Sequence, residues 1–144
     1  MRIVPAQGSR KRNPRPGGTA AVEFALLMAP LIFFLLGATD FCRLFYYYVT
    51  VHNCARNGAL WAADPLGPTE SPYTTVDQAA KADAPSALQG QISVSSTPGS
   101  DGSGSNVTVK VSCPFATLVN YPGMPSTVNL TSQTTMRVLP LTPY

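Results

Sequence analysis

Charge is scarce in this chain of 144 residues. Only 12% are Asp, Glu, Lys or Arg, about half the share of an ordinary soluble domain. Acid is missing altogether before Glu23, whereas five of the ten basic residues (Arg2, Arg10, Lys11, Arg12 and Arg15) fall in the first fifteen positions. The net charge of +3 therefore belongs to a tail. From Thr19 onward five basic residues stand against seven acidic ones, which leaves no broad cationic surface of the kind that binds nucleic acid. Cysteine is limited to Cys42, Cys54 and Cys113, with no Cys-x-x-Cys pair, and His52 is the one histidine. Zinc-ligand spacing and a full disulfide framework are both excluded. No nucleophile–base pair and no phosphate-cradling glycine loop is spelled, so the sequence predicts no enzyme, no cofactor and no metal.

Hydrophobic residues are not scarce, at 44%, and they are unevenly spread. From Ala20 to Ala38 the chain reads A-A-V-E-F-A-L-L-M-A-P-L-I-F-F-L-L-G-A, with Glu23 its only charge. A bilayer core of about 30 Å needs roughly 20 apolar residues in a helix, so the run fits a single membrane crossing. A chain this small has too little other apolar mass to wrap such a helix in a soluble core. The basic cluster just before it predicts a cytoplasmic N-terminus by the positive-inside rule, with the rest of the chain outside. Residues 1–18, rich in Pro and Gly, read as a disordered basic leader.

The helical pattern continues past the apolar run. Phe41, Leu44, Phe45, Tyr48, Val51, Ala55, Ala59 and Ala62 recur at steps of three and four, with Asp40, Arg43, Thr50, Asn53 and Asn57 on the other side. This predicts an amphipathic extension that ends before Asp64-Pro65. The whole helix, residues 19–63, would be about 68 Å long. Tyr46-Tyr47-Tyr48 lies near the membrane exit, where tyrosines favour the interface; packing on the C-terminal domain is the alternative, and both can hold on different faces.

Beyond Pro65 the texture changes to that of a small domain, residues 64–144. Residues 65–73 read as a loop. Thr75-Val-Asp-Gln78 resembles a capping box, with Asp77 and Lys81 spaced for an ion pair, and predicts a short helix over about 76–84 stopped by Pro85. Residues 91–96, 106–113 and 127–138 alternate as half-buried strands, and 97–105 reads as the loop joining the first two. Val107, Val109, Val111 and Cys113 share one face of the second strand. The predicted fold class is α+β: one long helix packed on a small antiparallel sheet of about three strands.

The densest chemical signal is Gly17-Gly18-Thr19-Ala20-Ala21-Val22-Glu23-Phe24. A carboxylate within an apolar helix is costly. Glu23 is about one turn in, so it can reach the interface, or it can be met by the positive N-terminus of a helix, its own or a neighbour's. Pro30 removes the hydrogen bond to the Leu26 carbonyl and should bend the helix. Asp40 and Arg43, spaced i, i+3, and Arg56 are candidate subunit contacts, with solvated surface charge as the alternative reading. Cys42 and Cys54 stand about 18 Å apart along one helix, too far to bond. Cys113 comes within reach of Cys54 if the sheet packs on the helix, which would allow one disulfide in an oxidising compartment.

Gly18 followed by four residues and a lone Glu at the head of an apolar helix resembles the type IV prepilin processing site. The stretch narrows further: Val22-Glu23-Phe24-Ala25, then Pro30, Gly37, Asp40 and Arg43 in order, then Asn53-Cys54-Ala55-Arg56-Asn57-Gly58-Ala59. Together these are similar to the TadE-like family, pseudopilins of the tight-adherence (Flp) pilus system. Residues 106–138 resemble that family more loosely, and 64–105 match nothing in it. The cysteines and Thr19 depart from the family's usual small or apolar residues.

The resemblance implies a pilus-associated, non-enzymatic component of the bacterial inner membrane, with the function of a minor pilin or pseudopilin in adhesion filaments. It implies cleavage between Gly18 and Thr19 by a prepilin peptidase, and a role for Glu23 and Phe24 in the register of helix assembly. The implied partners are that peptidase, other pilins, the inner-membrane assembly platform and membrane lipid. An unprocessed, single-pass membrane-anchored extracytoplasmic binding module is the alternative.

Overall fold

The computed structural model describes residues 18–102, 104–120, 123 and 125–140. The predicted leader, apart from Gly18, lies outside the described residues. The chain divides into two compact units, up to Leu35 and from Leu36 on.

One helix, α1, covers Thr19–Ala63 and is continuous through Pro30, matching the boundaries expected from Thr19 and from Asp64-Pro65. The expected bend at Pro30 does not interrupt it. It is long and apolar enough to cross a membrane. In the first unit its side chains are exposed, with only Met28 in part covered.

The second unit begins at Leu36, so the second half of α1 belongs to it. After α1 come three short helices, α2 (Gly67–Glu70), α3 (Val76–Lys81) and α4 (Ser86–Gln89), and then a sheet of β1 (Ser93–Asp101), β2 (Gly104–Ala116) and β3 (Thr127–Arg137). The sheet is antiparallel throughout, in the order β1-β2-β3. The α+β class expected from periodicity is the class observed.

The core lies between α1 and β2. Val51, Cys54, Ala55, Ala59 and Ala63 of the helix meet Val107, Val109, Val111 and Cys113 of the strand, with Ala84, Leu88 and Ile92 closing one side. The two-residue alternation of β2 extends to Phe115, also buried. β3 contributes a paler version of the same face: Val128, Leu130, Ser132, Thr134 and Met136 are half-buried and their neighbours exposed.

Small residues on α1 set how close helix and strand can come. A Cβ placed on Gly58 would lie 3.0 Å from the Ala80 Cβ and 3.1 Å from a Val109 methyl. Glycine here costs about 1 kcal/mol of helix propensity, and the packing supplies the reason for it.

The inward face of α1 differs from the expected one. Asp40 and Thr50 are buried, whereas Phe41, Phe45 and Tyr48 are exposed. The covered positions run Asp40, Leu44, Tyr47, Val51, Cys54, Gly58, at alternating steps of four and three. That is a repeat of 3.5 residues, and an ideal helix drifts by about 20° per seven residues against it. The contact line therefore winds around α1. Extrapolating the Ala55, Ala59, Ala62 stripe straight back reaches Phe41, Phe45 and Tyr48 and misses Asp40.

Three element boundaries also differ. β1 was expected to end at residue 96, with a loop over 97–105, yet the ladder runs on to Asp101↔Gly104. Backbone hydrogen bonds, not apolar side chains, carry this polar stretch, and Pro98 is tolerated because β1 is an edge strand. Gly104, at φ +135°, takes a conformation that favours glycine, just after the tight reversal. The residues 65–73, expected as loop, contain the single turn α2, and α3 stops at Lys81 rather than near residue 84. Its cap is as spelled: Thr75 Oγ1 accepts from Gln78 N at 3.2 Å, and Gln78 Oε1 accepts from the N–H and hydroxyl of Thr74 at 3.0 Å each. Lys81 pairs with Asp77 at 2.9 Å.

Replacing Gly58 with Leu improves local helix propensity but overfills the α1–α3–β2 contact. The expected net effect is a loss of about 1–3 kcal/mol, read as a lower urea midpoint for the full chain in detergent. Equal or higher stability would mean that the close approach does not exist.

Candidate functional site

Two places collect the residues singled out by sequence. The first is the head of α1. The Gly18 carbonyl accepts from Val22 N at 3.2 Å, so the Gly18–Thr19 peptide sits where the helix begins. A Cβ on Gly18 would meet no atom within 4 Å. Packing among the described residues thus gives no reason for glycine at 18.

Glu23 lies on the second turn and is exposed, as is Phe24. Among the described residues Glu23 makes no hydrogen bond or ion pair. An ionised carboxylate on an otherwise apolar helix is a group that gains from any cation brought to it. The N-terminal turn of such a helix, with its outward N–H groups, is one source of positive potential.

The second place is the turn that follows the apolar run. Asp40 is 5% exposed. Leu118 N donates to both of its carboxylate oxygens at 3.0 Å each, and Arg43 Nη1 donates to Oδ1 at 3.0 Å. Arg43 in turn lies 5.3 Å from the centre of the Phe115 ring. Tyr47 meets the same ring edge-on at 5.3 Å. The i, i+3 pair expected from sequence is therefore formed, and it is internal: it fastens the connection between β2 and β3 to α1. Sequence reading grouped Asp40 with the solvated side and missed this role. The available signal was the seven-residue spacing of Asp40, Tyr47 and Cys54.

The three tyrosines divide as their two readings allowed. Tyr47 packs against Phe115, and Tyr46 and Tyr48 point outward. Arg56 is exposed and makes no ion pair among the described residues. His52 Nδ1 is 3.2 Å from Ser132 Oγ, a surface link between helix and sheet.

Cys54 and Cys113 share the core, and both are free thiols; the disulfide raised by the sequence is not formed. Burial pushes both thiols up from their ordinary value, and the Asp83 charge adds to the effect at Cys54. Cys42 is exposed and also free.

Residues 18–60 match the family model described as TadE-like protein. The similarity begins at Gly18 and takes in Glu23, Pro30, Asp40, Arg43 and Gly58, which links the head of α1 and its packing face in one pattern. No curated protein and no solved structure matches the chain.

Two expectations follow. Asp40→Ala strands the Leu118 N–H and the Arg43 guanidinium and should cost about 1–3 kcal/mol, seen as a lower melting temperature in detergent, with Arg43→Ala costing less because that side chain is partly exposed. With raised pKa values and no solvent access, Cys54 and Cys113 should resist maleimide at pH 7 under reducing conditions until the chain is unfolded. Fast labelling of either in the native protein would contradict the core described above.

Proposed function

We propose that this chain is a minor pilin- or pseudopilin-like structural component of pilus assembly, not an enzyme. In this reading it waits in the inner membrane with its basic leader in the cytoplasm and the unit from Leu36 onward outside. A prepilin peptidase cuts after Gly18, Thr19 becomes the new N-terminus, and α1 then joins or primes a filament.

One observation carries the reading. An unexplained glycine stands at the exposed start of an apolar helix, and a carboxylate without a partner among the described residues stands one turn beyond it. Cleavage at Gly18 would create an α-amine at the head of the same helix. That amine, from this chain or a neighbour, is the cation that Glu23 lacks. Pairing the two would fix the axial register of adjacent helices, because a slip of one turn leaves a charge stranded in apolar surroundings. Phe24 beside it adds an aromatic contact at the same level. Arg56, exposed beyond the core, is free to meet another subunit. Other pilins and the assembly platform are the partners this mechanism requires.

The test is intact mass and N-terminal sequencing of the membrane-derived protein, expressed with its own peptidase. The expected start is Thr19. Replacing Gly18 with a bulky residue such as Leu should leave the leader attached without unfolding the protein, since the site is open. A start at Met1 in both cases would instead describe an unprocessed membrane anchor. Glu23→Gln should leave cleavage intact and lower incorporation into filaments.

A further inference from the structure

We infer that the unit from Leu36 onward makes its own contact with lipid, through a rim formed by Leu118 and the exposed Phe41. The inference rests on the reading of residues 20–38 as a membrane span.

The argument begins with the direction of β2 along α1. Gly58 faces Val109, Tyr47 meets Phe115, and Asp40 holds Leu118. As the strand number rises the helix number falls, so β2 runs antiparallel to α1. The end of β2 and the following Leu118 therefore lie at the end of the unit where the apolar run stops. Asp40 is two residues past Ala38, about 3 Å along the helix axis. The headgroup layer on each side of a bilayer is roughly 5–7 Å thick. A chain inserted through 20–38 thus carries the Asp40–Leu118 contact into that layer.

The large side chains exposed there are apolar: Leu118 is 57% exposed and Phe41 68%. Phe41 flanks Asp40 in the chain, about 5 Å past Ala38 along the helix axis. No charged residue occurs between Lys110 and Arg137, so the whole β2–β3 hairpin end brings no ion that would resist the interface. The one nearby cation, Arg43, is held over Phe115 by Asp40, with its side chain partly exposed at the level where lipid phosphates lie. Aromatic rings and aliphatic side chains at this depth gain from the boundary between headgroups and acyl chains. Because Asp40 grips the backbone N–H of residue 118, it positions any side chain at that place.

Fluorescence in vesicles tests this. The full chain, carrying Cys42→Ser, is reconstituted in phosphatidylcholine vesicles with Leu118→Cys labelled by a polarity-sensitive dye; Cys54 and Cys113 are buried and stay unlabelled. Phe41→Cys reports the same rim from the helix side, and serves if the Leu118 variant folds poorly. Lys110→Cys, near the level of Gly58 and about 27 Å farther along the helix, is the dry-side control. Leu31→Cys probes the span itself. Nitroxide lipids labelled near the headgroup should quench the dyes at 118 and 41 severalfold more than the dye at 110, with a blue-shifted emission. Equal quenching at 118, 41 and 110 overturns the inference, as does a dye at 118 that ignores lipid but responds to protein dilution, the mark of a second copy on this surface. If the dye at 31 is not quenched by nitroxides deep in the acyl chains, the membrane reading itself fails; if it is quenched and 118 and 41 are not, only the lipid contact fails.

Discussion

The arrangement of the second unit depends on a buried carboxylate. Asp40 would be costly to bury alone. It is accommodated because both oxygens accept from one backbone N–H and one of them also from a guanidinium, which is itself laid over an aromatic ring. That chain of contacts reaches from the start of the packed half of α1 to the end of β2. It selects which side of the helix turns inward, and with that choice Tyr47, Val51, Cys54 and Gly58 come into line.

At the other end of the same interface the Ala63 carbonyl accepts from Leu139 N at 3.0 Å. Between these two fastenings, past the Tyr47–Phe115 contact, α1 meets β2 mainly through small side chains. Ala55, Gly58 and Ala59 let β2 approach until its valines fill the remaining space, and burial of such surface contributes about 25 cal/mol per Å². Dense packing of small groups makes the fit sensitive to added volume and gives the two cysteines an environment in which ionisation is disfavoured.

Much of this architecture was legible in the sequence, and the exceptions have a common physical cause. The ends of α1, the alternation of β2 and β3, the Thr75 cap and the Asp77–Lys81 pair are local properties, decided by residues within a turn or two. What could not be read was non-local. Asp40 looks polar and surface-bound until the Leu118 N–H, far away in sequence, is brought to it. The polar residues 97–101 look like loop until Gly104 to Thr108 lie beside them and the backbone ladder closes. The winding of the packed face is a property of helix and sheet together, and a stripe extrapolated from three alanines could not contain it.

The antiparallel run of β2 beside α1, with α1 fastened to Leu118 after β2 and to Leu139 after β3, has a mechanical consequence. A force applied along the helix axis does not peel the sheet away one contact at a time. It loads the Asp40–Leu118 and Ala63–Leu139 attachments and the valine–alanine seam between them simultaneously, in shear. A protein drawn by its helix would thus bring its folded unit along as a single body, with the load spread over the whole length of the seam.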